Sequence, residues 1–145
     1  MDGDSVLPGA GLVVDASVVL AIVLEEDRRN EALGILRPVA STGFAVPAHW
    51  PLEVGNTLML VERRGRISRV ERDIAIAALE AMAVLIDQDI AGYAWRETLV
   101  LGQRHGLTLY DAAYLELVLR LGVPLATFDR ALARAAVAEG VAVAE

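Results

Sequence analysis

"GLTLYDAAYLELVLRLGVPLATFD", residues 106–129, decides the fold. Gly106 terminates one helix, Thr108 caps the next, Gly122 ends it, and "PLATFD" (124–129) follows as a short apolar strand. Inside that helix one residue is out of place. Glu116 and Arg120, at an i,i+4 spacing that suits an ion pair, mark a polar side. Asp111 lies about 140° from Glu116 on a helical wheel, on the apolar side with Leu107, Tyr114, Leu115 and Val118. An unpaired carboxylate there costs several kcal/mol or is forced to take up a proton.

The rest of the chain repeats the helix-then-strand pattern. Short apolar runs at 12–15, 44–47, 84–87 and 141–144 read as further buried strands. Between them lie helices over "ASVVLAIVLEEDRR" (16–29), "RNEALGILRPVA" (29–40, ending near Pro38) and 48–64, stopped by Gly65. Ser68 and Glu71 form a capping box for 69–83, and 89–106 and 130–140 complete the set. Alternating strands and helices indicate βαβ units. The expectation is an α/β fold: one domain over 1–145, with a central parallel sheet of about five short strands flanked by helices.

Composition narrows the function. The chain has 145 residues, 55% of them hydrophobic, no cysteine and no lysine. Disulfides, thiolate metal sites, P-loop phosphate binding and Schiff-base chemistry are therefore excluded, and a reducing, cytoplasmic setting is expected. The apolar stretch 5–24 carries Asp15 at its centre, turn signals at Pro8, Gly9 and Gly11, and an acidic start, "MDGD", so it reads as neither a membrane span nor a signal sequence. A net charge of −7 argues against nucleic-acid binding through bulk positive charge. It leaves open an enzyme that reaches phosphates through a bound cation.

The carboxylates carry that possibility. Asp15 and Asp129 each end a strand, where open parallel sheets bind ligands, although Asp is also a good N-cap for the helix that follows. Asp111 also fits a T-x-x-D cap with Thr108, and Glu53 fits a solvated helix face. Most acidic residues have an arginine within four positions; Asp15, Glu53 and Asp111 have none. Hard oxygen ligands around a missing positive charge describe a Mg²⁺ or Mn²⁺ site, suited to phosphodiester hydrolysis. Asn56, one turn after Glu53, is placed either to support that carboxylate or to sit exposed. Asp87 and Asp89, also without a local arginine, read as turn and cap residues.

Asp15 in "VVDASVVLA", Glu53 in "PLEVGN", Asp111 in "LTLYDAAYLELVLRLGVPLATFDRAL" and Asp129 near its end resemble the four acidic positions of PIN-domain ribonucleases, in particular the VapC-type toxins of type II toxin–antitoxin systems. The resemblance runs from about residue 12 to 143. It implies a parallel sheet of order 3-2-1-4-5, Mg²⁺-dependent endonucleolytic cleavage of RNA (with Mn²⁺ as a substitute), homodimerisation, and a cognate antitoxin that blocks the site. By position, Asp15 and Asp111 would be the principal metal ligands, completed by Glu53 and Asp129. Ser17 and Thr127 would orient the carboxylates through their hydroxyls. The alternative is the same scaffold acting as a protein-binding module without turnover.

Other features read more simply. "ERRGRISRVER" (62–72) carries five arginines against two glutamates, and Arg63, Arg64 and Arg66 either contact RNA phosphates or serve helix ends and solubility. His49 and His105 lack partners at ligand spacing and read as surface or capping residues; Trp50, Trp95 and Tyr93 read as core or dimer-interface residues. The apolar first helix serves either burial on the sheet or docking of a partner helix.

Overall fold

The computed structural model describes Leu7 and residues 9–144. The "MDGD" start, Pro8 and Glu145 lie outside the described residues. Strands β1 (Val13–Val14), β2 (Phe44–Pro47), β3 (Val84–Asp87) and β4 (Leu125–Ala126) form one parallel sheet in the order β3-β2-β1-β4. Val13 and Val14 are both fully buried. Successive strand residues face opposite sides, so both faces of the sheet are covered at β1.

Eight helices are present among the described residues: α1 (Ala16–Val23), α2 (Arg29–Leu36), α3 (Trp50–Arg63), α4 (Arg69–Glu80), α5 (Ile90–Tyr93), α6 (Glu97–His105), α7 (Leu109–Leu121) and α8 (Arg130–Ala138). Helix α7 packs on β1, β2 and β4, with α6 along it, while α1 packs with α2, α3 and α4. The sequence signals hold at the ends. Ser68 and Glu71 make both halves of the capping box, Thr108 accepts the Asp111 N–H at 3.1 Å, and Gly106 and Gly122 take left-handed conformations (φ 64° and 68°).

Several expectations need correction. The sheet has four strands, and the expected fifth at 141–144 is reduced to a parallel bridge between Val143 and Leu125. It lies beside β4, where the order 3-2-1-4-5 places a fifth strand. Its shortness follows from β4, which ends at Ala126 because Thr127–Asp129 turn away to make side-chain bonds. The single helix expected over 89–106 is two, α5 and α6, broken around Arg96 (φ −124°, ψ −94°). The break sets the Tyr93 ring 4.2 Å beneath the Arg120 guanidinium.

The largest correction concerns α7 itself. Glu116, expected on a solvated side, is only 4% exposed, and α7 is buried continuously from Ala112 to Val118. Arg120 does pair with Glu116, and its guanidinium also grips Asp87 through two bonds of 2.7 and 3.0 Å. Asp87 accepts the Asp89 N–H, as a turn residue would, but is also a buried ion-pair partner. Asp89 stands at the N-cap of α5 without a side-chain cap bond.

Candidate active site

The order β3-β2-β1-β4 reverses direction of build-up between β1 and β4, which opens a crevice at the carboxyl ends of those two strands. Asp15 follows β1 and Asp129 lies just beyond β4. Glu53 comes from the first turn of α3 and Asp111 from the first turn of α7. With Asp15 and Asp129 at the N-caps of α1 and α8, four helices present their amino-terminal ends to one set of acids. The positive ends of the helix dipoles partly offset the crowding of negative charge.

Asp15 is the buried centre, 5% exposed. Its Oδ2 accepts from the Ser17 hydroxyl at 2.8 Å and the Thr127 hydroxyl at 2.7 Å, and its side chain makes no N-cap bond. The same hydroxyls also accept: Ser17 from the Phe128 N–H of the loop after β4, and Thr127 from the Asp129 N–H two residues on in its own loop. Asp129, which is exposed, combines cap and site positions, since Oδ1 accepts the Leu132 N–H. Glu53 accepts from the Tyr114 hydroxyl at 2.5 Å. Asn56 is exposed and bonds to no carboxylate. Arg63, Arg64 and Arg66 are exposed at the far end of α3, about 15 Å along the helix from Glu53.

The electrostatics tie the four acids together. Burial pushes the Asp15 carboxyl above the usual range against the hydrogen bonds from Thr127, Ser17 and the Ala16 backbone, and the Asp129 charge adds to the push. Glu53 is raised by burial, opposed by the Tyr114 bond and reinforced by Asp15 and Asp111. Asp111 is raised by burial and then by the charges of Asp129 and Asp15. No arginine pairs with any of the four among the described residues.

The donor set is hard oxygen with an uncompensated negative charge, which suits a divalent cation. Among the described residues, no three His, Asp or Glu side chains already close around one point to hold such an ion. The hydrogen bonds explain this, since Asp15, Glu53 and Asp129 each have one oxygen committed to a protein donor.

Two residues of this site escaped the sequence reading. Tyr114 is fully buried, and its phenol, raised well beyond its usual range by burial and the neighbouring acids, stays a neutral donor to Glu53. Helical side chains lean toward the amino terminus, so a tyrosine three residues after Asp111 was placed to reach back to the site. His49 is no surface residue: its ring packs edge-on to Tyr114 (centroids 5.4 Å apart), and its Nε2 lies 3.8 Å from Glu53 Oε1. Burial lowers its proton affinity. The i,i+4 spacing to Glu53 was the available signal.

A family model described as PIN domain matches residues 12–138. The chain belongs to the PIN domain family. Ribonuclease VapC3 of Pyrobaculum aerophilum is 30% identical over 122 residues, covering 84% of this chain and 92% of that protein. Ribonuclease VapC3 of Mycobacterium tuberculosis is 32% identical over 131 residues, covering 88% and 89%. The crystal structure of PAE2754 from Pyrobaculum aerophilum superposes with a TM-score of 0.68 over 92% of this chain and 83% of that one, at 24% identity. This PIN domain therefore shares both sequence and fold with its relatives across the segment that carries all four acids.

Proposed function

We propose that the protein is a divalent-metal-dependent endoribonuclease and the toxin of a toxin–antitoxin pair, acting on RNA in the cytoplasm, with a cognate antitoxin and a second copy of itself as protein partners. The observation that carries the reading is the convergence of Asp15, Glu53, Asp111 and Asp129 on one crevice without a paired cation. The family membership and the names of the relatives support it.

When bound, Mg²⁺ or Mn²⁺ would supply Lewis-acid stabilisation of a phosphate and a water of lowered pKa. Asp15 and Asp111 would hold the cation, with Glu53 and Asp129 completing the negative set. Ser17 and Thr127 hold the Asp15 carboxylate in one rotamer and lock the loop after β4 against the loop after β1. Tyr114 does the same for Glu53.

Cleavage of total cellular RNA by the purified protein with Mg²⁺ or Mn²⁺, with new ends mapped, tests the reading. Discrete cuts that vanish with chelator and in Asp15→Asn are expected. Mn²⁺ affinity, and activity at limiting metal, fall on acidification, because protons compete with the cation for Asp15, Glu53 and Asp111, which are raised in the metal-free protein. Thr127→Val, which removes the hydroxyl shared by Asp15 and Asp129, lowers Mn²⁺ affinity and cleavage about 10- to 100-fold. Calorimetric Mn²⁺ titration checks the first part.

The absence of a pre-closed ligand set among the described residues favours a second reading, a PIN scaffold that binds protein partners without turnover. Failure of the well-folded, antitoxin-free protein to bind Mn²⁺ would select it.

A further inference from the structure

Tyr110 is 68% exposed, yet it stands in the first turn of α7 immediately before Asp111. Its ring is backed: the His49 ring lies 5.6 Å away, tilted by 59°, and His49 in turn packs edge-on to the buried Tyr114, which holds Glu53. Three rings thus run from a carboxylate of the site to the solvent, and the outermost presents an open face. A chain of contacts fixes that face relative to Glu53 and Asp111. The core has no use for it, since Tyr110 buries little.

The acids that would hold a cation repel the rest of an RNA chain, so affinity for the substrate has to come from elsewhere. Arg63, Arg64 and Arg66 lie at the far end of α3, too distant to hold the nucleotide at the cut, and Arg130, exposed beside Asp129, offers charge to a phosphate rather than a ring to a base. The Tyr110 face is within a nucleotide's reach of a phosphate held at the acids, because the His49 ring that backs it has its Nε2 only 3.8 Å from Glu53 Oε1. Bases stack on such faces irrespective of sequence, and only unpaired bases are free to do so.

We propose that Tyr110, backed by His49, is the stacking platform for an unpaired base next to the scissile phosphate. This inference rests on the nuclease reading above.

The test compares Tyr110, Tyr110→Ala and Tyr110→Trp, each in the Asp15→Asn background, for binding of a short fluorescent single-stranded RNA and of the same RNA annealed to its complement. Tyr110→Ala is expected to weaken single-strand binding about 5- to 100-fold, the range measured for loss of one stacked base. Tyr110→Trp binds as tightly as the parent, and all three bind the duplex equally. In the active background Tyr110→Ala raises KM for the single strand and leaves Mn²⁺ affinity unchanged.

Equal single-strand binding by the parent and Tyr110→Ala overturns the platform. So does a loss of Mn²⁺ affinity in Tyr110→Ala, which would show a structural role instead. The two readings fail separately. If the wild-type protein cleaves RNA and Tyr110→Ala cleaves it with the same KM, only the platform falls. If wild type neither binds Mn²⁺ nor cleaves, the nuclease reading falls first.

Discussion

Asp111→Asn is expected to reduce RNA cleavage at least about 100-fold while raising the thermal midpoint of the metal-free protein. The two effects have one cause. On the nuclease reading a ligand of the cation that would bring several kcal/mol of charge stabilisation to the reacting phosphate is lost, so the rate collapses. Without metal the same carboxylate is a burden: burial and the charges of Asp129 and Asp15 raise it above its ordinary 3.8. A group whose folded pKa is raised binds its proton more tightly in the native state. This group's contribution to the metal-free fold is therefore fully present below the unfolded value and is lost as pH rises through the folded one. At neutral pH the amide, which never ionises, removes that loss. Adding Mn²⁺ should reverse the ranking, because the wild-type protein gains stability from the ion and the variant gains less. Differential scanning fluorimetry with and without Mn²⁺ reads both signs. A variant that cleaves like wild type, or one that melts lower without metal, would remove Asp111 from the site.

Arg120→Met has the second large effect, on stability rather than chemistry. Asp87 and Glu116 are 1% and 4% exposed, and the one guanidinium satisfies both while lying over Tyr93. Removing it leaves two buried carboxylates without a cation, a change that costs about 3–5 kcal/mol in comparable sites. The lower end is expected, since Arg120 keeps partial contact with water. Urea denaturation measures it, and a loss below about 1 kcal/mol would show that water already compensates the pair. The triple variant Asp87→Asn, Glu116→Gln, Arg120→Met should recover most of the loss, because the charges leave together. Arg120 is about 13 Å along α7 from Asp111, so cleavage per folded molecule should hold.

These two cases show what a linear chain reveals. That Asp15, Glu53 and Asp111 come together was legible because an acid in an apolar stretch without a neighbouring arginine is an electrostatic problem visible in the spacing alone. The helix starts were legible because capping is local: Thr108, Ser68 and the glycines act within four residues. Glu116 was misjudged because its environment is made by elements distant in sequence, with α6 covering α7 and Asp87 arriving from β3. The i,i+4 pair with Arg120 was visible; its burial was not. Tyr114 and His49 looked apolar or incidental because the partner of each lies across the crevice or on another helix. The break near Arg96 has no such signature, since the apolar pattern runs on through it.

The pairing of β1 with β4 joins Val13 to Leu125, strands separated by most of the chain. Until that pairing forms, Asp15 has no Thr127 beside it and Asp129 has nowhere to sit. A polypeptide emerging from the ribosome at about 5–20 residues per second delivers β4 many seconds after β1. On the nuclease reading this topology is a delay timer: the nascent chain cannot assemble its four-acid centre beside the ribosome that is making it until β4 and Asp129 have emerged.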